Sequence, residues 1–205
     1  VIASDAGSSD EVAALAKRFP DGVDVLFLNA GIAKFGSLAE MDEKTFDDVL
    51  RINVKGPWLA LKHFGPKLRK GGAVVVNTSI NGILGMPGSG AYAASKAAAR
   101  SLVRVAAAEL AGAGVRVNAV SLDPIETPLY GKLGMSAEVT AGFAKDLAAK
   151  IPLHRFGRAE EIAKAALFLA SDNSSFMTGE EITLGGGMPR IGWSLLVKSS
   201  HLTLD

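Results

Sequence analysis

The 205-residue chain has no cysteine, which removes disulfides, thiolate nucleophiles and cysteine metal ligands from consideration. Its three histidines, His63, His154 and His201, lie too far apart to make a ligand-type spacing, so no metal site is expected. No apolar run approaches the roughly eighteen residues of a spanning helix, and no charged-then-apolar leader opens the chain. No membrane partner is indicated, and the cytoplasm is the expected compartment. Lys plus Arg number 22 against 21 Asp plus Glu, and no stretch interleaves basic residues with aromatics, which argues against nucleic acid. A small molecule remains the default ligand.

What is present fits one soluble globular domain spanning 1–205: 48% of residues are hydrophobic, enough for a substantial core. Short, almost continuously apolar runs close on polar residues or glycine at 23–31 ("VDVLFLNAG"), 71–79 ("GGAVVVNTS"), 115–122 ("VRVNAVSL") and, more weakly, 180–187 ("EEITLGGG"). Each reads as a strand, the first as one buried on both faces. Helical patterns cover 43–69, 90–111, 136–150 and 159–170. Strands alternating with helices predict an α/β fold, a doubly wound parallel sheet of Rossmann-like type. The opening "VIASDAGSSDEV" reads as a strand end entering a helix, so the fold is expected to be incomplete at its N-terminus.

In such sheets ligands bind beyond the carboxyl ends of the strands. That rule selects Asn29 to Gly31, Thr78 to Asn81 and Asp123 to Thr127 as the segments that converge on one crevice.

Within "SGAYAASKAAA" Tyr92 and Lys96 stand four apart, one above the other on a helix, so the ammonium can favour the ionised phenol. Lys96, Arg100 and Arg104 equally form the row of a solvated helix face. Ser79 shifts the balance: it ends a strand thirteen positions before Tyr92, and "NGILGMPGSG" joins the two. In "VLRINVKGPW", Pro57 has no N–H to give the carbonyl of Asn53, which frees that oxygen for a water; a plain kink is the other reading. The acidic pairs Asp47-Asp48, Glu160-Glu161 and Glu180-Glu181 read most simply as solvated helix ends or loops.

In combination these segments resemble the classical short-chain dehydrogenase/reductase family: "NAG" closing a strand, Asn53 in the next helix, Ser79, Tyr92 and Lys96 at their spacing, then "VNAVSLDPIETP" and "FLASDNSSFMTGEEITLGGG". The resemblance covers residues 1 to about 189. It implies Tyr92 as proton donor or acceptor and Ser79 as partner of the substrate oxygen. Lys96 would lower the phenol pKa and hold the nicotinamide ribose, and Asn53 would anchor a relay water. It implies NAD or NADP as cofactor, with Asp5 at the adenine, Asn29, Ala30 and Gly31 along the adenosine, and Ile125 and Thr127 at the carboxamide. The implied reaction interconverts a secondary alcohol and a ketone or aldehyde; a catalytically silent assembly or ligand-binding subunit is the alternative.

The chain departs from the family in several places. No Gly-x-x-x-Gly-x-Gly precedes Asp5, and the segment that separates NAD from NADP users is absent. Leu122-Asp123 stands where Pro-Gly is usual, His154 where glycine is usual and Gly185 where aspartate is usual. Residues 190–205 run past the family's usual end. The segment 129–150 has the size and place of a substrate lid, with Leu84, Met86, Leu129, Tyr130, Met135 and Phe143 as candidate apolar walls. No arginine is placed to clamp a carboxylate, so a neutral carbonyl or alcohol substrate is expected. The alanine-rich helix at 90–111 and the helix bearing Asn53 pair across subunits in the family, which implies a homodimer or homotetramer.

Overall fold

The computed structural model of the chain describes residues 1–122, 124–126 and 137–191, with backbone alone at 137, 139–141 and 143. Four strands, β1 (Val23–Leu28), β2 (Leu68–Ser79), β3 (Arg116–Leu122) and β4 (Glu181–Leu184), form one sheet in the order β1-β2-β3-β4. Every pairing is parallel. The helices are α1 (Ser9–Lys17), α2 (Glu43–Leu50), α3 (Gly56–Phe64), α4 (Gly90–Leu110), α5 (Ala137–Lys150), α6 (Ala159–Ala170) and the short α7 (Met188–Ile191). Helix against both faces of a parallel sheet is the expected α/β Rossmann-like architecture.

Strand alternation divides the core. Val74, Val76, Val117 and Ala119 face α4, where they meet Val103, Ala106 and Ala107. Val75 and Val120 face the other way and meet Ala166 and Leu169 of α6, with Ile182 and Leu184 beside them. Small alanines let α4 lie close to the valine surface, and the two layers exclude water from the centre of β2 and β3.

β1 departs from the expectation of a strand buried on both faces. Leu26 packs with α1 and α3, but Val25 and Phe27 remain 47% and 45% exposed. The packing of α6 is on β2 and β3, so the reverse face of β1 is uncovered among the described residues. The expected strand end at Val1 is also corrected: residues 1–5 carry no strand, and the helix that follows is capped by Ser8, whose Oγ accepts from the Glu11 N–H.

The helix expected over 43–69 is three pieces. Between α2 and α3, Arg51–Lys55 form one π turn, closed by the Gly56 N–H donating to the Arg51 carbonyl. Pro57 supplies the cause: lacking an N–H, it leaves the i−4 bond unmade, and the ladder passes the point by taking in one extra residue. The run then ends early, in a single 3-10 turn at Gly65–Lys67, before β2 begins at Leu68. β4 likewise ends at Leu184, because Gly186 and Gly187 turn the chain at φ of 58° and 96°.

Glu161 stands at a helix end, as the sequence reading has it, and is held there by named partners. Its carboxylate takes both Arg155 nitrogens, each at 2.8 Å, and the Arg158 N–H at 2.8 Å, closing the N-terminus of α6. The Arg155 guanidinium first, then the backbone N–H, holds its pKa at about 2, below an ordinary 4.5. A depressed carboxylate adds stability above its unfolded pKa and loses it as pH falls through the folded one. Glu161→Gln should therefore melt below the parent above pH 4.5, and the two melting curves should converge as pH falls to about 2. A gap of constant width across that range rejects the assignment.

Among the described residues His154 is the one non-glycine with positive φ, 52°, and its side chain is exposed. Replacing it with glycine removes the left-handed strain at the expense of backbone entropy. His154→Gly is expected to raise unfolding free energy by roughly 0.5–1 kcal/mol in urea titration, and a loss of stability rejects it.

Candidate active site

The carboxyl ends of β1 and β2 and the first turns of α4 bring four segments together. Lys96 sits two turns into α4 and is 6% exposed. Its Nζ donates to the Asn77 carbonyl at 2.9 Å and lies 5.7 Å from the centroid of the Tyr92 ring. A buried ammonium requires such acceptors, since an unmatched charge in the interior is strongly disfavoured. Tyr92 is half-buried, with the Phe35 ring tilted against it and centroids 5.9 Å apart. The row Lys96, Arg100, Arg104 thus runs from buried through half-buried to exposed, which corrects the solvated-face reading for its first two members.

Ser79 is the last residue of β2, 4% exposed, and its Oγ accepts from the Asn81 N–H at 3.1 Å. The turn that follows passes directly over α4: a Cβ on Gly82 would stand 3.0 Å from the Ala97 nitrogen. Glycine is required at that contact, and it keeps Ser79 and the start of α4 in one neighbourhood.

Asn53 is buried in the π turn at 3% exposure. Its side chain reads both backbone groups of Ile32, accepting from the N–H at 2.8 Å and donating to the carbonyl at 2.9 Å. The same Nδ2 lies 3.0 Å from Ser95 Oγ, which in turn donates to the Tyr92 carbonyl at 2.7 Å. The amide therefore pins the loop after β1 to the helix that carries the phenol.

Asn29, Ala30 and Gly31 are exposed in that loop. Asn29 Oδ1 accepts from Asn77 Nδ2 at 2.6 Å, and Asn77 Oδ1 is buried without a hydrogen-bond partner among the described residues. A Cβ on Gly31 would come within 3.2 Å of Asn53 Oδ1 and 3.7 Å of Lys96 Nζ. Asp5 caps its own turn, Oδ1 accepting from the Gly7 N–H at 2.8 Å, and pairs with Arg51 at 2.8 Å. The Gly7 N–H first, then Arg51, lowers its pKa, so it stays a carboxylate. Ile125 is paired with Gly157 in a parallel bridge beside a cavity of about 130 Å³ that Gly185, Gly186 and Glu161 also line. Thr127, Asp123, Leu129, Tyr130, Met135, residues 192–205 and the Phe143 side chain lie outside the described residues. Leu84 packs against the Ile80, Ile151 and Met188 cluster.

Three residues that the sequence reading passed over hold this arrangement. Ser95 was legible as a hydroxyl three residues after Tyr92, the spacing at which serine bonds back to its own helix. Asn77 was legible as a polar residue closing an apolar strand. Glu181 was assigned to solvent and is instead largely buried, hydrogen-bonded to Thr78 at 2.5 Å and paired with Arg100.

At the strand ends of the parallel sheet Lys96 lies beside the Tyr92 ring and Ser79 closes β2, and in open sheets of this kind ligands bind beyond those ends. Comparison with known proteins narrows this. A family profile described as Enoyl-(Acyl carrier protein) reductase matches residues 2–189. The chain is 42% identical over 168 residues to 3-oxoacyl-(acyl-carrier-protein) reductase FabG of Thermotoga maritima, covering 81% of this chain and 66% of that protein. It is 38% identical over 165 residues to 2-(S)-hydroxypropyl-CoM dehydrogenase 3 of Xanthobacter autotrophicus, covering 80% and 65%. A gluconate 5-dehydrogenase from Burkholderia cenocepacia, solved in complex with NADP and tartrate, superposes with a TM-score of 0.81 at 27% identity, covering 89% of this chain and 72% of that one. The chain belongs to the classical short-chain dehydrogenase/reductase family. It spans about two thirds of the length of the two curated relatives named here.

Asn53→Ala leaves both backbone groups of Ile32 without their side-chain partner in a buried site, and is expected to cost about 2–4 kcal/mol by urea unfolding. A cost under about 0.5 kcal/mol, the range of ordinary surface changes, rejects the pinning role.

Proposed function

We propose that the chain carries the catalytic centre of an NAD- or NADP-dependent oxidoreductase that interconverts a secondary alcohol and its carbonyl compound. The observation that carries this reading is the buried Lys96 ammonium, fixed by the Asn77 carbonyl and held beside the Tyr92 ring. A cation beside the ring favours phenolate over phenol, which suits Tyr92 to exchange a proton with the substrate oxygen. In the oxidative direction the Tyr92 oxygen takes the proton of the substrate hydroxyl; in the reductive direction it returns that proton to the forming alkoxide.

Ser79 is disposed to hold the substrate oxygen. The Asn81 N–H occupies one lone pair of its Oγ and leaves the hydroxyl proton for a substrate oxygen, where it steadies developing negative charge. The side chain of Asn53 is committed to Ile32 and Ser95, so the relay water assigned to this residue falls to its backbone carbonyl, which Pro57 cannot bond.

The residues present fit a dinucleotide. Gly31 brings the loop backbone close to Asn53 Oδ1 and Lys96 Nζ, where a side chain would crowd the ammonium, and the buried Asn77 Oδ1 is an acceptor in want of a donor. Asp5 stays anionic as an acceptor for an adenine amine, and Ile125 and Thr127 are assigned to the carboxamide end. When bound, NAD or NADP supplies the hydride donor or acceptor.

A neutral ketone or secondary alcohol is the proposed substrate class. The names of the two curated relatives support it, one a reductase of 3-oxoacyl groups and the other a dehydrogenase of a 2-hydroxypropyl group. Assembly as a homodimer or homotetramer belongs to the same reading, supported by exposed Ala94, Ala97 and Val105 on α4 and exposed Trp58 on α3.

Tyr92→Phe should reduce turnover of a ketone panel about a hundredfold or more, as loss of a general acid–base does, while NADPH or NADH fluorescence titration stays saturable. Retained turnover refutes the proton-transfer role. A folded chain that binds neither nucleotide favours the silent ligand-binding relative instead.

A further inference from the structure

Between the sheet and α4 lies a polar layer that the proposed chemistry does not use. Alternation along the strands puts Thr78 with Val74 and Val76, Ser121 with Val117 and Ala119, and Glu181 opposite in sense to Ile182, all on the α4 side. Register places Thr78 beside Ser121 and Ser121 beside Thr183, a row of hydroxyl residues across β2, β3 and β4. Into that row Arg100 extends from α4, one turn beyond Lys96, and pairs with Glu181 of β4. The other oxygen of Glu181 accepts from Thr78 Oγ1 at 2.5 Å, with the Val120 carbonyl 3.2 Å from the same hydroxyl. The side chains of Arg100 and Glu181 are 26% and 12% exposed, so solvent screens the pair only in part.

Thr78 lies between two residues of the candidate site. Its predecessor Asn77 gives the carbonyl that holds Lys96, and its successor is Ser79. Alanine packed on valine holds α4 against the sheet by non-directional contact, so its setting along the axis rests on directional bonds, that of Lys96 to the Asn77 carbonyl and that of Arg100 to Glu181. A charge pair hydrogen-bonded onward to a strand hydroxyl has one satisfactory geometry, and that geometry sets the helix against the strand.

We propose that Arg100 and Glu181 are positioning residues for the tyrosine centre: acting through Thr78, they fix the axial setting of α4 relative to the end of β2, and so the place of Lys96 and Tyr92 against Ser79. This rests on the proton-transfer reading of Tyr92. Loss of either charge leaves Lys96 as the remaining tie of α4 to β2, loosens the ammonium on its carbonyl and weakens its hold on the phenol.

The test reads the phenol directly, by ultraviolet difference absorbance across pH in a Tyr130→Phe background, where Tyr92 is the remaining tyrosine. In that parent the Tyr92 midpoint is expected below 10, and in Arg100→Ala and Glu181→Ala it is expected to rise by about one pH unit toward the ordinary value. Turnover should fall about tenfold with KM little changed, while far-ultraviolet dichroism remains that of the parent. The exchanged pair Arg100→Glu with Glu181→Arg should recover most of the midpoint and rate, and Thr78→Val, which keeps both charges, should move them the same way as the alanine variants. Should the alanine variants fail to fold, Thr78→Val and Glu181→Gln carry the same readings. A parent midpoint below 10 that the folded variants leave in place overturns the positioning role and spares the proton-transfer reading. A parent midpoint near 10 overturns both.

Discussion

One buried cation organises the candidate site. Lys96 lies inside the protein, and an ammonium there persists only if its hydrogens meet fixed acceptors. The Asn77 carbonyl is one of these, and it belongs to the strand that ends in Ser79. The same four-residue spacing that makes Lys96 a neighbour of the Tyr92 ring therefore ties the helix to the strand. The nearness of the Tyr92 ring to the strand that ends in Ser79 is a by-product of housing a single charge.

Around that charge the polar groups serve one another in sequence. Asn53 reads the backbone of Ile32, Ser95 joins Asn53 to the Tyr92 carbonyl, and Asn77 joins Lys96 to the Asn29 loop. Each is a directional contact laid over apolar packing that sets proximity but not orientation. The alanines of α4 supply closeness to the sheet, and the amides, hydroxyls and charges convert closeness into a defined arrangement.

The alternation of apolar runs with helical periods revealed the parallel sheet, and the rule that ligands gather at strand ends led to Asn29–Gly31 and Ser79 before any relative was considered. Both signals are local. The segment around Asn53 was half legible: Pro57 told of a missing donor, but whether the chain answers with a kink or a widened turn depends on what Arg51 and Gly56 can reach. Glu181 and Arg100 were not legible, because each looks like a surface charge until β4 and α4 are brought together across 81 positions of sequence. The exposed face of β1 misled for the same reason. An apolar run records what a strand can bury, and only the tertiary fold decides which helix arrives to cover it.

The widened turn at Arg51–Lys55 has a geometric consequence for everything after it. An inserted residue advances the helix by about 100° of rotation, so α3 leaves the turn out of phase with α2. Leu59 and Phe64 thereby swing inward against α1 while Trp58 swings out. Removing a single residue from that segment would turn Leu59 and Phe64 away from α1, so the chain's length here is as constrained as its chemistry.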